Sequence, residues 1–203
     1  KRLFFSAGSN LFCVNASDGS LVQSFGEDGI VSLKTGLGDR AQSGYVVART
    51  PGVIHKDLLI MGSTVSETMG AAPGHIRAFN VRTGALEWVF RTIPEPGEYG
   101  YETWPENAYK TIGGANNWAG LTLDEQRGIV YCPTGSAAYD FWGGNRKGMN
   151  LFANCLVALD ADTGERLWHY QTVHHDIWDK DLPAPPNLIQ VERNGKKVEA
   201  IAQ

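Results

Sequence analysis

Several features are scarce in this 203-residue chain, and each scarcity excludes a class of protein. It has three cysteines, Cys13, Cys132 and Cys155, an odd number without C-x-x-C spacing. Neither a disulfide framework nor a zinc cage follows from that pattern, so they read as small buried hydrophobes. There is no run of Lys or Arg, and the formal charge is −4 with a pI near 5.7. A nucleic-acid partner therefore lacks its usual electrostatic footprint. The opening Lys1-Arg2-Leu3-Phe4-Phe5 reads as a strand, with neither signal-peptide anatomy nor a long apolar span. No stretch sustains a 3.6-residue period over a dozen residues, so helices should be short or absent.

What is present is 24 glycines, 10% aromatic residues and many short apolar runs bounded by turn residues. That combination predicts an all-β chain. A repeat lies within it. Ala78-Phe79-Asn80-Val81-Arg82-Thr83-Gly84-Ala85-Leu86-Glu87-Trp88 and Ala158-Leu159-Asp160-Ala161-Asp162-Thr163-Gly164-Glu165-Arg166-Leu167-Trp168 share Ala, Asn/Asp, Thr-Gly and Trp at the same offsets. The chemistry is that of a hairpin: an apolar strand, an Asx residue and Thr-Gly that supply the turn, then a return strand carrying Trp. A weaker copy begins at Cys13-Val14-Asn15-Ala16-Ser17-Asp18-Gly19 and lacks the Trp.

Adding the apolar runs before each hairpin gives four-stranded units. One is expected at Tyr45–Ala48, Leu58–Gly62, His75–Phe79 and Leu86–Arg91, and another at Trp118–Leu123, Gly128–Thr134, Cys155–Leu159 and Arg166–Gln171. Four strands per repeat is a propeller blade. The segmentation is a partial blade at 1–25, blades at 45–92 and 117–171, and the start of another at 186–203. A two-sheet β-sandwich is the competing architecture. Two insertions interrupt the repeat, Ile93–Asn116 and Gly135–Asn154, and such loops on a β scaffold are where binding and catalysis concentrate.

The stretch richest in chemistry follows the last repeated strand. His174-His175-Asp176-Ile177-Trp178-Asp179-Lys180-Asp181 packs two histidines, three carboxylates and a tryptophan into eight residues, and Pro183, Pro185 and Pro186 end it. Trp178 and the prolines should fix the loop's shape, with one histidine orienting it. Adjacent histidines on an extended backbone point to opposite sides. A zinc hydrolase built on His174, His175 and Asp176 is one reading of the cluster.

The doubled hairpin together with the His-Asp-x-Trp-Asp loop resembles the pyrroloquinoline quinone (PQQ)-dependent dehydrogenases over essentially all 203 residues. Trp178-Asp179-x-Asp181-Leu182-Pro183-Ala184-x-Pro186 is most similar to the membrane-bound glucose and quinate dehydrogenase branch. The resemblance implies a partial eight-bladed quinoprotein-type propeller with four-stranded antiparallel blades and tryptophan-docking hairpins. It implies PQQ with Ca2+ or Mg2+ as cofactors and hydride transfer from a sugar, polyol or other alcohol to the metal-polarised C5 carbonyl. Asp179 would be the general base that takes the hydroxyl proton and also lie at the metal. Glu67 and Ser136 would be further metal positions, and Thr64, Ser66 and Trp118 would contact the cofactor, Trp118 as the floor under the ring.

Ser136 departs from the family's frequent Asn, a better ligand for a hard cation; Asn145, Asn150 or water could serve instead. The resemblance also implies ubiquinone or a cytochrome c as electron acceptor, a periplasmic location, and membrane association through other regions. A cation that contacts the quinone oxygens is expected beyond Gln203, and an adjacent-cysteine disulfide with a carboxylate-binding arginine before Lys1. On that reading the chain is a piece of a longer ring, inactive alone. The rival is a cofactor-free propeller scaffold that uses the same hairpin for protein binding.

Overall fold

A computed structural model describes residues 1–203, and they form fifteen short strands with only single-turn helices between them. The helical pieces are Arg40–Ser43, a 3-10 turn at Tyr101–Thr103, and Ala108–Thr111. No helix is long and apolar enough to cross a membrane.

Strands β1 (Arg2–Ala7), β2 (Asn10–Asn15) and β3 (Ile30–Ser32) form the first sheet, which therefore runs past residue 25. The second sheet is β5 (Val53–His55), β6 (Leu58–Met61), β8 (Ile76–Asn80) and β9 (Leu86–Phe90), antiparallel in that order. The third is β10 (Thr122–Asp124), β11 (Ile129–Pro133), β12 (Cys155–Asp160) and β13 (Arg166–Gln171). A hairpin of β14 (Asn187–Arg193) and β15 (Lys196–Ala202) follows.

Two expected strands fall elsewhere. Tyr45–Ala48 does not join the second sheet: β4 (Val46–Val47) pairs instead with β7 (Thr64–Val65) in a separate ladder. Pro51 breaks the run, and Gly52 lies so close to β6 that a Cβ would meet the Ile60 carbonyl oxygen at 2.5 Å. Val53–His55 takes the edge instead. Trp118–Leu123 shrinks to β10, because Gly120 sits at φ +102 and Asn117 uses its side-chain amide on the carbonyls of Gly120 and Pro133, both at 2.7 Å.

The repeated hairpins superimpose in chemistry. Asn80 Oδ1 accepts the backbone N–H of Arg82 and Thr83, and Asp160 Oδ1 accepts those of Asp162 and Thr163. Thr83 and Thr163 hydroxyls accept the N–H two residues on, at 3.2 Å in each case. Gly84 and Gly164 both sit at φ +75. Each hairpin carries the same register shift, at Ala78/Phe79 and Ala158/Leu159. This shared local bonding needs the same residue types at the same offsets, which is why the two segments read alike.

Alternation along each strand stacks the sheets face to face. Leu59 and Met61 of β6 and Phe79 of β8 face the core shared with the first sheet, beside Leu11, Phe25 and Leu33. Ile60, Ile76 and Ala78 face the opposite core, with Val130, Cys132, Val157 and Leu159 of the third sheet. The remaining face of that sheet, Tyr131, Leu156 and Ala158, meets Leu182 and Ile201. Cys13, Cys132 and Cys155 are free thiols inside these layers.

The layers are also clasped at their hairpin ends. Arg2 donates to the carbonyls of Val81 and Arg82, and Lys56 bonds Asp162 at 2.7 Å. Fully buried Arg77 holds the Leu33 and Thr35 carbonyls, and burial pushes it down to about 9. The Trp88 ring lies on Gly164 of the next sheet, where a Cβ would meet ring carbons at 2.6 and 2.7 Å.

That seat generates a prediction. Gly164→Ala should destabilise by ~2–4 kcal/mol, from overpacking plus a left-handed backbone. Gly19→Ala, at nearly the same φ with nothing within 4 Å, should lose only the backbone part, ~1 kcal/mol. Equal losses in urea unfolding would show that the ring contact contributes nothing.

Candidate active site

The loop after β13 is organised by Asp176, which is only 3% exposed. Its carboxylate accepts from the Ser136 hydroxyl at 2.6 Å, from Asn154 Nδ2 at 3.4 Å, and from the backbone N–H of Lys180 at 2.7 Å and Trp178 at 3.1 Å. Burial alone would raise this carboxyl, and these bonds outweigh it, so its net shift is downward. Its own carbonyl accepts from Arg146, which also grips Asn150 and the Tyr139 carbonyl. The second insertion, the end of β11 and the loop are thereby tied to one residue.

Trp178 was expected to fix the loop's shape, but its ring is 72% exposed. The shape comes from its backbone N–H on Asp176 and from the prolines, of which Pro186 is buried and takes the Thr122 hydroxyl on its carbonyl. Of the two histidines, His175 lies against Gly143 and its Nδ1 reaches the Gly148 carbonyl at 3.0 Å, whereas His174 is exposed. His175 is thus the one that orients the loop. Asp176 and His175 are both committed to loop structure, so the zinc reading has no support here.

Asp181 is locked as well. Its Oδ2 accepts from Trp118 Nε1 and its Oδ1 from the Ser136 N–H, both at 2.6 Å, with the carboxylate seated on Gly135. The bond to the indole fixes the plane of Trp118. Between them, Asp179 is exposed at φ +55 and accepts no hydrogen bond. Burial, then Asp181, Glu67 and Asp176, push its carboxyl above the usual range.

These elements enclose a cavity of about 420 Å³ where strand ends and insertions meet. Thr64, Ser66, Glu67, Trp118, Ser136 and Asp179 all line it, although they come from distant parts of the chain. Three further charged residues line it, none of them given a role from sequence: Arg49, Asp140 and Asp181. Asp140 lies in an insertion with no periodicity to place it; its only sequence signal is a carboxylate four residues after the strand-end Gly135-Ser136. Burial, then Glu67, Asp179 and Asp181, push Asp140 up to about 7. Arg49 donates to the Tyr45 hydroxyl at 3.1 Å, and that bond, with Glu67 nearby, raises it. Asn145 and Asn150 do not line the cavity, and Asn150 Oδ1 is taken by Arg146.

The lining carries the donor types that a divalent cation and a flat polar cofactor take. Four carboxylates face one space beside a single arginine, and an excess of oxygen ligands suits a hard cation. Thr64 Oγ1 is buried with no hydrogen-bond partner, a hydroxyl free to donate to a ligand. The Ser66 hydroxyl is engaged with Thr68 at 2.7 Å, and that of Ser136 with Asp176. No three acidic, histidine or cysteine side chains converge on one point as they stand. A larger groove of about 970 Å³ between the third sheet and the β14–β15 hairpin contains charges that are already paired, Asp124 with Arg127 and Arg127 with Glu199. It has no comparable unmet demand.

Stacked antiparallel sheets with a polar cavity at their strand ends define a β-propeller site. The chain belongs to the family described as "PQQ: Glucose/ethanol/alcohol dehydrogenase, beta-propeller domain", which matches residues 1–203. It is 35% identical over 195 residues to the quinoprotein glucose dehydrogenase of Escherichia coli, covering 94% of this chain and 24% of that protein. It is 36% identical over 182 residues to the quinate/shikimate dehydrogenase (quinone) of Acinetobacter baylyi, covering 88% of this chain and 22% of that one. These are the branch that the loop sequence resembles. The fold matches the quinohemoprotein alcohol dehydrogenase of Comamonas testosteroni with a TM-score of 0.83 at 23% identity, over 98% of this chain and 30% of that one. The chain spans about a quarter of the length of the curated relatives it matches.

Asp176→Asn removes the charged acceptor from a buried set of hydrogen bonds and should cost the loop ~1–3 kcal/mol. Amide exchange at Trp178 and Lys180 should accelerate by ~10-fold or more, 1.4 kcal/mol corresponding to a factor of ten. Unchanged exchange would mean that the loop is held elsewhere.

Proposed function

We propose that this chain is part of a PQQ-dependent dehydrogenase that oxidises a sugar, a polyol or another alcohol, with Asp179 as the general base. The observation that carries this is the pairing of Asp179 with Trp118 in one acidic cavity. One is a carboxylate with no protein partner, the other an aromatic plane locked by Asp181. When bound, the quinone supplies the two-electron acceptor for the carbinol hydride, and Ca2+ or Mg2+ supplies a Lewis acid.

The residues divide the remaining work. Asp179 Oδ accepts the hydroxyl proton, and its raised affinity for protons makes it a stronger base than an ordinary surface aspartate. Trp118 offers a flat stacking surface without spending polar groups. Thr64 Oγ1 is the free hydroxyl for a cofactor oxygen, and Ser66 stands two residues on at the same wall. Glu67, Ser136 and Asp179 are the assigned metal positions. Of these, Ser136 also ties the loop in place: its hydroxyl donates to Asp176 and accepts from Asn154, and its backbone N–H donates to Asp181, which leaves one lone pair of the hydroxyl oxygen for a cation. Electrons would leave to ubiquinone or a cytochrome c in a periplasmic setting. The blade segmentation, with Trp88 docked on Gly164 as the joint between repeats, belongs to the same proposal.

The test uses the full-length protein reconstituted with PQQ and Ca2+, following dye reduction with aldoses, polyols and quinate. Asp179→Asn should lower kcat by ~100-fold or more while quinone uptake, read by absorbance, is retained. Absence of quinone uptake and of turnover with every alcohol in the wild type would overturn the proposal in favour of a cofactor-free scaffold.

A further inference from the structure

Asp140 is a carboxylate of the cavity wall to which nothing so far gives a role. It is 3% exposed and lines the cavity, yet its carboxylate accepts no hydrogen bond and has no ion pair within 4 Å. Its oxygens open on the cavity instead of being sealed from solvent, so their charge is met by whatever fills that space and by no protein donor. The cost of that charge is raised by Glu67, Asp179 and Asp181 facing the same space, and Arg146 offsets only part of it.

Several of the oxygens around it are committed. Asp181 uses both oxygens on Trp118 and Ser136, Asp176 is saturated, and the Ser136 hydroxyl is engaged with Asp176 and Asn154. Of the four carboxylates that line the cavity, Asp140, Asp179 and exposed Glu67 accept no hydrogen bond.

We propose that Asp140 is a ligand of the divalent cation, filling the corner of the shell where Ser136 offers a single lone pair. This inference rests on the dehydrogenase reading of the cavity. Three carboxylates, Glu67, Asp140 and Asp179, supply the oxygen-rich, hard-donor set that Ca2+ takes, two of its partners coming from exposed, adjustable positions and one from a rigid buried one. Bringing them onto one ion requires rotation of Glu67 and Asp179, since no three such side chains converge as they stand. Asp140, held inside the insertion between Ser136 and Arg146, sets where the ion sits.

Calorimetric titration of CaCl2 into the full-length protein, alone and with PQQ bound, tests this. Asp140→Asn should weaken Ca2+ binding by at least ~10-fold, the loss seen when groups around a metal are removed. Asp140→Glu keeps the charge on a longer arm and serves where the Asn variant does not fold. Its Ca2+-induced rise in melting temperature should be smaller than that of the wild type. Wild-type affinity in Asp140→Asn, or an undiminished rise in Asp140→Glu, overturns the assignment. So does lost turnover at unchanged Ca2+ affinity, which would make Asp140 an acid–base group. In each of those cases wild-type quinone uptake and alcohol oxidation leave the dehydrogenase reading standing. A wild type that takes up neither Ca2+ nor PQQ overturns both.

Discussion

Strands β11 and β12 are buried on both faces, and that two-sided burial sets the terms for the rest of the structure. Val130 and Cys132 turn one way and Tyr131 the other; Val157 and Leu159 one way, Leu156 and Ala158 the other. A slip of one residue would exchange the two sets and place each against the wrong layer. The register is therefore held from both sides, and with it the position of whatever emerges from the strand ends. Thr134, Gly135 and Ser136 leave β11 at a fixed height, and Asp176 and Asp181 dock on them.

The cavity shows the opposite economy. Where the layers hide apolar surface and leave few polar atoms unmatched, the strand ends collect carboxylates that repel one another. The two aspartates nearest Asp179 are neutralised in function by hydrogen bonds: Asp176 becomes a scaffold and Asp181 an orienting arm for Trp118. Asp179 is left chemically free between them. Sequence proximity thus gives three aspartates of one loop three separate roles, decided by which donors each one meets.

Much of this was legible from residues alone. The Asx-x-x-Thr-Gly hairpins are local chemistry, so Asn80 and Asp160 announce their turns without any tertiary help. The gathering of Thr64, Ser66, Glu67, Trp118, Ser136 and Asp179 around one space followed from the family resemblance, and the structure brings them together. What was hidden depended on tertiary contact. Pro51 and the close approach of Gly52 to β6 displace the expected edge strand, and Asn117 replaces ladder bonds near Trp118 with side-chain ones. Asp140 was hidden for a related reason: Gly135–Asn154 has no period, so nothing in it tells a surface acid from one folded inward. Trp178 misled in the other direction, its aromatic ring suggesting an anchor that Asp176 provides instead.

The seat of Trp88 on Gly164 has a polarity. A side chain from one sheet enters the turn of the sheet after it, while Gly84, the equivalent turn of the second sheet, receives Val31 from the sheet before. Each layer thus presents a plug on one side and a socket on the other, so neighbours meet through unlike surfaces. Contacts of that kind repeat by rotation, and they either close into a ring or continue as a spiral according to the angle of each step. Glycine in the socket lets the two sheets approach that closely at the hairpin end, and the closeness of that approach is one contribution to the angle. A side chain there would do more than lower stability: it would change the pitch of the stack, and with it the curvature that brings strand ends from separate layers around a common centre.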